Sequence, residues 1–96
     1  MSVAILGGLD RLKKLYEQRG RDLGYDVRVF SQRVPNMAQR LSGVKGIVIF
    51  TGTVAHHMVE DARRIAKKQN IPIGRSHSSS VSAFNRCLAE ISLARS

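Results

Sequence analysis

The 96 residues are expected to form one α/β domain, 1–96, built as a small doubly wound sheet of the Rossmann-like or flavodoxin-like kind. Its four parallel strands should run in the order 2-1-3-4, with helices on both faces. Three observations predict this. Two continuous apolar runs, Val3-Ala4-Ile5-Leu6 and Gly46-Ile47-Val48-Ile49-Phe50, have the character of strands covered on both faces. Strand-like runs alternate strictly with segments of helical period, which implies right-handed crossovers and a parallel sheet. No Pro- or Ser-rich linker, repeat or compositional shift divides the chain.

The first strand is Val3 to Leu6, ended by Gly7-Gly8. From Leu9 the period becomes helical, with Leu12, Leu15, Tyr16 and Leu23 on the expected buried stripe and Gly24 as the stop. Asp26 to Gln32 mixes Val27, Val29 and Phe30 with polar residues, as a strand nearer an edge does. A short helix is expected after Pro35, with Met37, Ala38 and Leu41 inward and Gly43 near its end. Gly46 to Phe50 is the central third strand, stopping at Thr51-Gly52-Thr53. Met58, Ala62, Ile65 and Ala66 keep helical spacing until Asn70, with Glu60, Asp61, Arg63, Arg64, Lys67 and Lys68 on the wet side. Ile71-Pro72-Ile73-Gly74 is the fourth strand, and its proline confines it to an edge. Ser76 to Ser80 is a polar loop ending in capping residues, and Val81, Phe84, Cys87, Leu88 and Ile91 form the last helix's buried stripe.

Composition bounds the function. The 43% hydrophobic fraction is that of a globular chain, and no apolar run approaches the ~20 residues that cross a bilayer. The start of the chain lacks the marks of a signal peptide, and a single cysteine, Cys87, makes no disulfide within the chain, so a cytoplasmic location is expected. Sixteen Lys and Arg against 7 Asp and Glu give a formal charge of +9, which suggests an anionic partner. Much of that excess lies at scattered helical positions that read as a solvated face. A nucleic-acid-binding module resting on Arg63, Arg64, Lys67 and Lys68 is a further alternative, but with three Phe, two Tyr and no Trp to stack on bases such binding is expected to be weak and lost near physiological salt.

In sheets of this order, ligands bind beyond the carboxyl ends of the strands, where the order reverses between strands one and three. Gly7 and Gly8 open a helix and bring backbone N–H groups toward a possible anion, although a tight turn alone would also need them. Neither G-x-G-x-x-G nor a Walker loop is present. Thr51 and Thr53 place hydroxyls at a helix start, where an N-cap also explains a threonine. Arg75, Ser76, His77 and Ser78 follow the fourth strand on the same rim. A small anionic, phosphate-bearing ligand is thus expected to meet Gly7, Gly8, Thr51, Thr53, Arg75 and Ser76, with His56 as its protonatable group. The fold brings His56, His57 and His77 to one end of adjacent units, so the alternative is an iron or haem site on these imidazoles, completed at a homodimer interface. No Ser-His-Asp or Cys-His spacing marks a nucleophile, and no catalytic residue is assigned. An uncovered sheet edge and an apolar last helix point to self-association as a dimer.

At Ile5-Leu6-Gly7-Gly8, Tyr16, Ile49-Phe50-Thr51, His56 and Ile71-Pro72-Ile73, the chain resembles a short bacterial family catalogued as domain of unknown function 2325. The resemblance spans nearly the whole chain. It implies the same fold and points to Gly7, Gly8, Tyr16, Thr51, His56, Ser76 and Ser80. Where that family often has Ser-His-Asn, this chain has Ala55-His56-His57. The resemblance implies no biochemical activity.

Overall fold

The computed structural model describes residues 1–30 and 36–95. The strands are β1 (Ser2–Leu6), β2 (Asp26–Phe30), β3 (Gly46–Phe50) and β4 (Ile73–Ser76), and the helices are α1 (Lys13–Asp22), α2 (Met37–Leu41), α3 (His56–Gln69) and α4 (Val81–Arg95). All pairings are parallel and the sheet order is β2-β1-β3-β4, as expected. The register sets Leu6 beside Phe30 and Ile49, and Phe50 beside Ser76. The carboxyl ends of all four strands therefore lie level, and the loops after them share one rim.

The two apolar runs are central because the sheet is covered twice. Ala4, Leu6, Ile47 and Ile49 pack with Met37 and Leu41 of α2 and Met58, Ala62, Ile65 and Ala66 of α3. Val3, Ile5, Val48 and Phe50, on the opposite face, pack with Tyr16 of α1 and Phe84, Cys87, Leu88 and Ile91 of α4. Every residue of β3 is buried. At roughly 1.5–3 kcal/mol for each large apolar side chain removed from water, no edge position could hold this run as favourably. Among the described residues, no helix is long and apolar enough to cross a membrane.

Four expectations are corrected. Leu15 and Leu23 are 43% and 59% exposed rather than inward. Residues Asp10–Leu12 form a tight 3₁₀ turn before α1, which shifts its phase, and the line facing the sheet is Leu12, Tyr16 and Gly20. Ala38 is exposed because α2 is only five residues long and turns Met37 and Leu41, four apart, to the core. Strand β4 begins at Ile73, not Ile71, because the chain is still leaving α3: Asn70 adopts a left-handed conformation (φ 58°), and Ile71 donates its N–H to the Ala66 carbonyl at 2.8 Å. Pro72 precedes the strand and only accepts, from Ile47 at 3.0 Å. The strand runs on through Arg75 and Ser76, which were expected in the loop. Gln32 and Pro35 lie outside the described residues. The apolar stripe of α4 is consumed by the sheet, so it leaves no surplus face; the large apolar side chain still exposed on that helix is Leu93.

Candidate functional site

Strand β1 ends at two glycines with φ of 89° and 91°, a left-handed conformation that other residues adopt only at a cost. The sharp turn aims three successive N–H groups inward, and the chain itself takes all three. Gly7 donates to the Phe30 carbonyl at 3.0 Å, Gly8 to Thr53 Oγ1 at 2.8 Å, and Leu9 to the Tyr16 hydroxyl at 3.3 Å. The amides expected to cradle an anion at this turn are thus engaged within the fold.

Tyr16 is the hub behind that turn. Its fully buried ring packs between Phe50 and Phe84, each centroid 5.4 Å away. Its hydroxyl donates to the Ser79 carbonyl in a short hydrogen bond. Ser79 is the buried polar residue of the described chain, and its hydroxyl lies 3.0 Å from Thr53 Oγ1. Thr53 Oγ1 also lies 3.3 Å from the Phe50 carbonyl. Each hydroxyl carries one proton, so one assignment satisfies every group: Thr53 donates to Phe50 while accepting from Gly8 and Ser79. Ser80 accepts from the Ala83 N–H at 3.1 Å and caps α4. Tyr16 and Thr53 therefore brace the loops after β1, β3 and β4 against one another. Ser79, the residue they converge on, was missed from sequence because in a run of serines nothing marks the one that turns inward.

The loops after β3 and β4 touch. A Cβ on Gly52 would lie 2.6 Å from the His77 carbonyl oxygen and 3.2 Å from its ring Cε1, so only glycine permits this approach. The ladder continues one step past the strands, with the Thr51 N–H donating to the Ser76 carbonyl at 2.8 Å. Just beyond lies the start of α3, which differs from that of α4. Its N-cap, Ala55, has no side chain to accept a hydrogen bond, and its first turn contains no acid. The N–H groups of His56 and His57 have no acceptor among the described residues. A helix start of this kind carries about half a positive charge. On the loops and strand ends of this rim the side chains of Thr51, His56, His57 and His77 are exposed and that of Ser76 is half-buried.

His56 Nε2 lies 3.3 Å from Glu60 Oε1 on the same face of α3, with both side chains largely in water, so solvent screens the pair. The three histidines assemble no three-ligand metal centre within one chain: among the described residues, no group of three His, Cys, Asp or Glu side chains could hold a metal ion. Arg75 is not on the rim surface. Its register partner is Ile49, which faces α3, and its side chain lines a groove with Arg63 and Lys67 of that helix. Cys87 is buried against β4, and burial, helped by Glu90 and only partly offset by Arg86, pushes its thiol above the ordinary range, where it is a poor nucleophile.

The family model described as "Uncharacterized protein conserved in bacteria (DUF2325)" matches residues 2–91. The chain belongs to this family. The match runs from β1 into the last turns of α4, so the sheet, both touching loops and the Tyr16 hub of this DUF2325 chain all lie inside the matched segment. No curated protein and no solved structure matches it.

Proposed function

We propose that this protein is a small-ligand binding or sensing domain that holds an anionic, phosphate-bearing group on the rim at the start of α3. The observation that carries this reading is the uncapped, acid-free N-terminus of a 14-residue helix, set beside a second loop at the switch point of the sheet. The ligand's oxygens accept from the His56 and His57 N–H groups, from the Ser76 hydroxyl and from the Thr51 hydroxyl, which turns to the ligand from the Ser76 carbonyl that it reaches at 3.5 Å. His56 supplies a ring N–H donor. Gly8, Tyr16 and Thr53 hold the two loops in position through their hydrogen bonds, while Gly7 ties the turn after β1 to β2 and Ser80 caps α4.

The test is Ala55→Asp. An aspartate at this N-cap supplies the missing acceptor and a negative charge, so the variant should be more stable by ~0.5–2 kcal/mol and should lose anion binding. Inorganic phosphate and a nucleoside monophosphate are titrated into labelled protein while the amide resonances are followed. The His56 and His57 amides are expected to move, and His56→Ala should weaken the binding. Unchanged phosphate affinity in Ala55→Asp overturns the reading.

A further inference from the structure

Strand β4 leaves one edge of the sheet open. The carbonyls of Pro72 and Ser76 accept from Ile47 and Thr51, so the even-numbered residues of this strand face β3. By the alternation of a parallel ladder, the N–H and C=O groups of Ile73 and Arg75 point outward. The side chains of these odd-numbered residues rise toward α3, where they meet Arg63, Ala66, Lys67 and Asn70, one stripe of that helix. Together with Ile71, these residues form a groove of about 510 Å³ running beside the open edge. Its floor is apolar, its walls hold three cations, and no carboxylate lines it. Among the described residues, none of Arg63, Lys67 and Arg75 is ion-paired, whereas neighbouring Arg64 donates to Asp61 at 2.7 Å.

We propose that this edge binds an extended acidic segment of another protein, which adds to β4 as a fifth strand. The outward backbone groups of Ile73 and Arg75 supply the hydrogen bonds, and alternate acidic side chains of the incoming strand meet the three cations. A charge on an edge strand commonly serves only to repel other strands, and that would explain Arg75. It would not explain why two further cations on α3 converge on the same groove. Charge selects the occupant. A second copy, itself at +9, would bring one Arg75 against another, while an acidic strand neutralises all three cations. A nucleic acid would also satisfy the charge, but no aromatic side chain in the groove offers a base a stacking surface and it would leave the strand's backbone groups unmatched.

The probe is a synthetic peptide of alternating glutamate and valine, about eight residues long to match a strand, titrated into the labelled full chain. The Ile73 and Arg75 amides should shift and become protected from exchange, while those of His56 and His57 stay in place. The same peptide with lysine in place of glutamate should not bind. Arg63→Glu with Lys67→Glu, both on the surface of α3, should weaken the acidic peptide by about tenfold or more. The proposal is overturned if the acidic peptide fails to bind at about 1 mM, or if the double variant binds it equally well. It is also overturned if oligothymidine binds the same edge more tightly, or if the Ile73 and Arg75 amides are already protected in a concentration-dependent way by a second copy.

Discussion

Replacing Tyr16 with phenylalanine removes one oxygen from the centre of the rim and leaves the packing as it was. The ring keeps its contacts with Phe50 and Phe84, so no cavity opens. The buried Ser79 carbonyl loses its donor, which costs about 1–3 kcal/mol, and the Leu9 N–H, at 3.3 Å and only part-buried, loses a weaker bond. A net loss of ~2 kcal/mol is expected. With a urea dependence of ~1–2 kcal/mol per molar for a domain of this size, the midpoint should fall by about 1–2 M. Thr53→Val acts on the same residue from the other side, because it removes the acceptor of both the Gly8 N–H and the Ser79 hydroxyl. Once either variant has freed the Ser79 loop, the other should cost less, so their effects should fall short of additivity by at least ~0.5 kcal/mol. A loss below ~0.5 kcal/mol in Tyr16→Phe, or strict additivity of the pair, would refute the hub.

Gly20 faces β2 from inside α1, and a Cβ there would lie 2.1 Å from Val27 Cγ2. Gly20→Ala should therefore destabilise by about 1–2 kcal/mol despite the better helix former, but stabilise in a Val27→Ala background, and a gain in the wild-type background would disprove the clash. Because burial raises the Cys87 thiol in the folded chain, the unfolded chain deprotonates first. Stability should hold below the ordinary thiol range and fall as pH rises through and beyond it, which urea midpoints between about pH 7 and pH 10 will check. Alkylation of native Cys87 near neutral pH should be far slower than in denaturant, and equal rates would count against its burial. If the chain self-associates, the exposed large apolar side chain of α4, Leu93, is the expected contact. Leu93→Lys should shift sedimentation toward the monomer, and a monomeric native chain at tens of micromolar would contradict self-association.

The sheet was legible because its central strands announce themselves: Val3 to Leu6 and Ile47 to Phe50 can be covered only from both sides, and that fixes the order around them. The phase of α1 was not. Leu12, Leu15, Tyr16 and Leu23 form an acceptable stripe on paper, and only the 3₁₀ turn at Asp10–Leu12 selects Tyr16 and Gly20 from it. Gly7, Gly8 and Thr53 were correctly placed at the strand ends, but whether an N–H there is free or engaged depends on partners 45 residues away. Ser79 was hidden among serines of identical chemistry. Arg63, Lys67 and Arg75 read as parts of a wet face and a loop, because their convergence depends on Arg75 belonging to a strand whose start lies two residues later than Pro72 suggests.

The bonds from Tyr16 to Ser79 and from Gly8 to Thr53 join positions 63 and 45 residues apart. Closing such long loops is entropically costly and contributes little until most of the chain is in place. During synthesis, β1 and β2 can pair early, yet the turn after β1 cannot settle until residue 79 has left the ribosome. If the rim holds a ligand as proposed, capture should therefore appear only at the end of folding, and a chain cut before α4 should carry no residual affinity, so that an occupied rim would report a finished molecule.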